Sequence, residues 1–84
     1  THQVKREVQA GEQLFAKLRE LRKRLAEQEQ IPPYMVFSDS TLREMAVIQP
    51  RKMHELLQIR GVGEAKLAKY GEAFLQEIKR HASS

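Results

Sequence analysis

The sequence predicts an all-α fold, a compact bundle of about five helices (four from the pattern below plus a fifth after a break), with the first helix the longest. Three observations predict it. Leu14, Leu18, Leu21 and Leu25 recur at spacings of four, three and four, which puts them on one face of a helix. The one run that reads as a strand, Ile31 to Phe37, carries Pro32 and Pro33 and has no second strand to pair with. Pro50, Gly61, Gly63 and Gly71 then divide the second half into short segments with apolar residues at helical spacing.

Residues 1–10 are polar and weakly patterned and read as a linker or frayed end, so the helical domain is expected over 11–84. The first helix covers about 11–30, with Phe15 flanking the leucine stripe and Pro32-Pro33 stopping it. The Ile31–Phe37 stretch is an irregular or single-turn connection that buries Val36 and Phe37. Ser38, Asp39, Ser40 and Thr41 are all possible caps for a helix near 39–48, and Thr41 with Glu44 has capping-box spacing. That helix buries Leu42, Met45 and Ala46. The next, near 51–58, buries Met53, Leu56 and Leu57. A further helix runs over about 62–70. Gly71 marks a break or kink, and a last helix near 72–81 turns Phe74, Leu75 and Ile78 inward. Met35, Met45 and Met53 read as core filler.

With 84 residues, one domain of modest stability is the expectation. The chain does not begin with methionine, as a piece of a longer protein would not. There is no cysteine, hence no disulfide or thiolate metal site. No apolar run approaches the ~20 residues that span a bilayer. The net charge is +4, with fifteen basic and eleven acidic residues. Residues 51–84 carry seven basic and four acidic of these, and residues 31–50 only one and two. Such a balance suits a modest nucleic-acid footprint, and equally a mixed, solvated surface.

Catalysis has no visible basis. His2, His54 and His81 are scattered without metal-ligand spacing, and neither a nucleophile–base signature nor a phosphate loop ending in Gly-Lys-Ser/Thr is present. Glu20, Glu27, Glu64 and Glu72 read as helix-surface residues. No cofactor or metal is expected in this domain, and the chain is not expected to be an enzyme by itself.

Two features remain that could bind a nucleic acid. In Gly61-Val62-Gly63, a helix N-terminus following a glycine turn attracts anions, and Lys66 and Lys69 add charge. The simpler account is that Gly61 caps the preceding helix, Gly63 allows close approach and Val62 plugs the core. The second feature is Tyr34, stiffened by two prolines, beside the basic residues of the first helix. Stacking a base on an exposed ring contributes roughly 1–3 kcal/mol in any sequence. The competing reading is a core tyrosine with a bonded hydroxyl. Val36 and Phe37 already supply inward groups, which favours an exposed Tyr34. Tyr70 is the rival aromatic, placed to pack at the helix break.

On a helical projection Arg22 lies beside the leucine stripe, Lys17 and Arg24 lie on its other flank, and Lys23 points away. They do not make one stripe, and Glu20 and Glu27 are placed to pair with some of them. Arg22 is also placed to reach the Ser38–Ser40 corner and bind Asp39 structurally.

Taken in order, Leu18-Arg19, Leu21-Arg22, Ala26, Pro32-Pro33-Tyr34-Met35-Val36-Phe37-Ser38-Asp39, Thr41-Leu42, Met45-Ala46, Pro50, Glu55-Leu56, Ile59, Gly61-Val62-Gly63, Lys66, Tyr70-Gly71 and Phe74 resemble the HRDC (helicase and RNase D C-terminal) domain. The resemblance covers about residues 12–81, and the Pro-Pro-Tyr-Met-Val-Phe-Ser-Asp run is most similar to the bacterial RecQ helicase branch. It implies a non-catalytic helical module that assists binding of single-stranded or structured DNA. It also implies a parent ATP-dependent DNA helicase of the bacterial cytoplasm, associated with the nucleoid and acting in repair and recombination. The DNA-contacting tyrosine of that branch corresponds to Tyr34, with Arg19, Arg22 and Lys23 as basic neighbours. Arg51 and Lys52 stand where relatives often place a capping Ser or Thr, and their charge enlarges or relocates the basic surface. In this family the Gly-Val-Gly turn chiefly joins two packed helices, so Gly61, Gly63 and Lys66 are secondary phosphate candidates. The partner is therefore expected to be DNA. The alternatives are docking to the parent helicase core or a repair protein, and RNA binding beside an RNase D-like exonuclease. No membrane partner is expected.

Overall fold

The computed structural model describes residues 2–83, and side chains from Gly11 onward. Helix α1 spans His2–Glu29, a single 3₁₀ turn follows at Pro33–Met35, and α2 spans Asp39–Ile48. Helix α3 is Met53–Leu57 and α4 is Gly63–Ser83. No strand occurs among the described residues. The first helix packs on α2, α4 and the 3₁₀ turn, and α3 packs on α4.

The leucine stripe does what its spacing demands. Leu14 and Leu18 are fully buried and Leu21 nearly so, while Leu25 and Phe15 lie at the margin of the core. Around them close Val36, Phe37, Leu42, Met45, Leu56, Val62, Phe74 and Ile78. Phe37 is central, edge-on to Phe74 at 5.0 Å and to Tyr70 at 6.0 Å.

Three local expectations need correction. Among the described residues the bundle has four α-helices and one 3₁₀ turn, because Gly71 does not break the last helix. A Cβ at Gly71 would lie 2.9 Å from Leu67 Cδ1 and 3.0 Å from Met53 Cε, so the glycine admits the close passage of α3 against α4. Helix α1 also begins well before residue 11, its backbone helical from His2 through the segment read as a linker or frayed end. It ends at Glu29; Gln30 follows with a left-handed φ of 59°, and the Ile31 N–H then bonds to the Ala26 carbonyl.

The Thr41–Glu44 capping box does not form. Ser38 caps α2, its hydroxyl accepting from the Thr41 N–H at 3.2 Å. Thr41 is buried and gives its hydroxyl proton to the Arg60 carbonyl at 2.9 Å, which pins the Gly61–Gly63 turn to α2. Arg51 and Lys52 offer no capping side chain to α3. Instead a Glu55 carboxylate oxygen accepts from the Arg51 N–H at 2.7 Å and the Lys52 N–H at 3.2 Å. Those backbone donors, Arg51 first, hold the Glu55 carboxyl below its usual range against a desolvation cost.

The end of α1 is fastened to α4 by three side chains. Tyr70 donates to a Glu29 carboxylate oxygen, and the Lys69 ammonium pairs with the other. The bond from Lys69, then that from Tyr70, depresses the Glu29 carboxyl, and Glu29 in turn raises both Lys69 and Tyr70. A depressed carboxyl contributes stability above its unfolded pKa and loses it as pH falls through the folded one. A raised Lys or Tyr contributes below its unfolded value and loses it as pH rises through the folded one. The clasp therefore acts from above the ordinary glutamate range to below the ordinary lysine and tyrosine range. Thermal melts against pH should show Glu29→Gln with a shallower acid limb than wild type. Parallel limbs would remove the clasp from the stability balance.

Candidate nucleic-acid interface

Pro32 is extended (φ −62°, ψ 145°), and Pro33 starts the 3₁₀ turn, with bonds from Met35 N–H to Pro32 O and Val36 N–H to Pro33 O, each 3.0 Å. The turn leaves Tyr34 and Met35 outside and delivers Val36 and Phe37 to the core. Tyr34 is 69% exposed and makes no hydrogen bond or ring contact among the described residues. That exposure sets Tyr34 apart from a core tyrosine. Tyr70 takes the other role, buried and bonded through its hydroxyl.

An open groove runs between α1 and the start of the 3₁₀ turn, and its lining reaches Pro33, the residue before Tyr34. Pro33 and Ile31 form one wall, and Arg19, Glu20, Lys23 and Glu27 belong to the other. Arg19 and Lys23 are exposed and form no ion pair among the described residues. The expected pairing of Glu20 and Glu27 with basic neighbours is not made there either. Arg24 instead faces Glu77 at 3.9 Å, a carboxylate shared with Arg80 at 3.6 Å.

Arg22 does not belong to the exposed surface. It is 8% exposed, and its guanidinium donates to the Phe37 carbonyl at 2.9 Å and meets Asp39 at 2.7 Å. That contact, with smaller contributions from Arg19 and Arg43, holds the Asp39 carboxyl below its usual range. The structural alternative for Arg22 is the one realised, since its place beside the leucine stripe carries it inward.

The other candidates lie apart from the groove. Arg51 and Lys52 are exposed ahead of α3. Gly61 and Gly63 have φ of 94° and 64°, and Val62 between them is buried. A Cβ on Gly61 would sit 2.4 Å from the Thr41 hydroxyl, whereas one on Gly63 would meet nothing within 4 Å. Two expectations fail here: α3 ends at Leu57 with Gln58 as its cap, so Gly61 does not cap it, and no close approach is made at Gly63. Lys66 holds its ammonium 6.0 Å from the Phe37 ring centre.

Sequence reasoning missed Arg43. It is exposed on α2 and its guanidinium lies 4.3 Å from the centre of the Phe15 ring, with that of Arg19 at 5.8 Å. No local spacing relates residue 43 to 15 and 19, and only the α1–α2 packing brings them together. Further along α2, Val47 is 80% and Ile48 57% exposed.

Among the described residues no group of acidic, histidine or cysteine side chains could hold a metal, and no helix is long and apolar enough to cross a membrane. Residues 11–78 match the family model of the HRDC domain. The chain is 53% identical over 72 residues to an ATP-dependent DNA helicase RecQ of Bacillus subtilis, covering 86% of this chain and 12% of that protein. It is 53% identical over 68 residues to the Haemophilus influenzae RecQ, covering 81% and 11%. Among solved structures, D. radiodurans RecQ HRDC domain 3 superposes with a TM-score of 0.85 at 34% identity, covering 88% of this chain and 97% of that one. The chain thus spans about an eighth of the length of these helicases.

Proposed function

The chain belongs to the HRDC domain family, and from that premise we propose that it is the nucleic-acid-binding accessory domain of a RecQ-like, ATP-dependent DNA helicase. It binds single-stranded or structured DNA weakly, without a cofactor, and contributes no bond-breaking chemistry itself. The parent helicase would act on the bacterial nucleoid in the cytoplasm. The observation that carries this reading is Tyr34, unpartnered and 69% exposed on a proline-stiffened turn beside the α1 groove. A base stacks on the ring, while Arg19 and Lys23 attract the backbone. Arg51 and Lys52 add charge near α3 and strengthen encounter more than register.

The test is a titration of labelled single strands at two salt concentrations, with wild type and Tyr34→Ala. Wild-type affinity should fall steeply with salt through counterion release. Tyr34→Ala should weaken binding by about 1–3 kcal/mol and leave the melting temperature nearly unchanged. Unchanged binding by the folded variant would shift the assignment to a second reading, docking to a helicase core or repair protein. The exposed Val47 and Ile48 favour that reading, since β-branched side chains gain a helix surface little by propensity.

A further inference from the structure

We infer that Arg43 and Arg19, both held on the Phe15 ring, form a clamp for the sugar–phosphate backbone and extend the binding surface from α1 onto α2. The inference rests on the nucleic-acid reading above and adds a site to it. The half-buried Phe15 ring carries the Arg43 guanidinium at 4.3 Å and that of Arg19 at 5.8 Å. Contact through a ring face leaves the N–H donors of a guanidinium unused, and so fixes the fork without satisfying it. Neither arginine has a carboxylate partner among the described residues. Asp39, the carboxylate whose ionisation both favour, is already engaged by Arg22 at 2.7 Å. Two positive charges are therefore left over at the α1–α2 seam, where a phosphodiester oxygen can accept from them. In the groove itself, Lys23 shares the lining with two carboxylates, Glu20 and Glu27. The seam is thus the better place for the phosphates of a strand whose base stacks on Tyr34. Holding two long side chains ready on one ring also lowers the ordering cost of binding.

The test uses the whole chain and labelled oligo-dT and oligo-dA over a salt series, with wild type, Tyr34→Ala, Arg43→Gln and Phe15→Leu. Arg43 is exposed, so Arg43→Gln should melt like wild type. It should weaken binding to both strands alike and lower the slope of log affinity against log salt by about 0.7, the loss of one single-strand phosphate contact. Phe15→Leu keeps both charges and frees them, so it should lose affinity several-fold at an unchanged slope. If wild type binds and Tyr34→Ala weakens it, while Arg43→Gln keeps both affinity and slope, the clamp is wrong and the stacking reading stands. Phe15→Leu that is folded and binds like wild type would overturn the positioning role of the ring. Wild type without salt-sensitive binding would overturn the nucleic-acid reading and the clamp together.

Discussion

Gly61→Val should lose a large part of the folding stability of the domain and melt well below wild type. The residue has φ 94°, a conformation that strains any β-branched side chain, at a cost of roughly 1–3 kcal/mol. The new Cβ would also meet the Thr41 hydroxyl at 2.4 Å. Thr41 is buried and bonded to the Arg60 carbonyl, so it can yield only by giving up that bond, about 1 kcal/mol more. A loss of about 3 kcal/mol or more is expected. A chain of this length holds on the order of 4–12 kcal/mol in all. Melting and single-strand affinity should be measured on one sample. A variant that melts like wild type yet no longer binds would make the Gly61–Gly63 turn a phosphate site.

Arg22→Ala should be nearly as damaging, for an electrostatic reason. The guanidinium is the link between α1, the carbonyl of Phe37 and the first turn of α2. Its Nε is buried without a hydrogen-bond partner, so the two terminal nitrogens carry the compensation for burying the charge. Removing it strands the Phe37 carbonyl and should cost about 1.5–3 kcal/mol, roughly 10 °C in melting temperature. Asp39 is exposed, so its side chain returns to water and adds little. Any fall in DNA binding should disappear once affinity is corrected for the folded fraction. An Arg22→Ala protein that melts like wild type and binds DNA less well would return Arg22 to the binding surface.

What the sequence made legible was whatever repeats locally. The leucine stripe of α1, the inward Val36-Phe37 pair and the apolar triplets of α2 and α4 follow from periodicity and from the stops around them. The exposure of Tyr34 could be read because its neighbours already fill the core. Gly71 could not be read: a lone glycine breaks a helix or admits a neighbour, and here Met53, eighteen positions away, decides. The α3 start was obscured because its cap comes from Glu55, inside the helix, and not from the residues before it. Tyr70 with Glu29, and Arg43 with Phe15, are partners set only by how the helices cross.

The Glu29–Lys69–Tyr70 clasp also bears on the order in which the chain assembles. Arg22 reaches Phe37 across 15 positions, whereas Tyr70 reaches Glu29 across 41. Closing the longer loop costs more chain entropy before any contact rewards it. The α1–α2 corner is therefore expected to form before α1 and α4 are joined through the clasp. Interactions made after the barrier slow escape from the native state more than they speed its formation. On that ground, changes to the clasp should show mainly in the rate of unfolding, and changes to the Arg22 corner in the rate of folding.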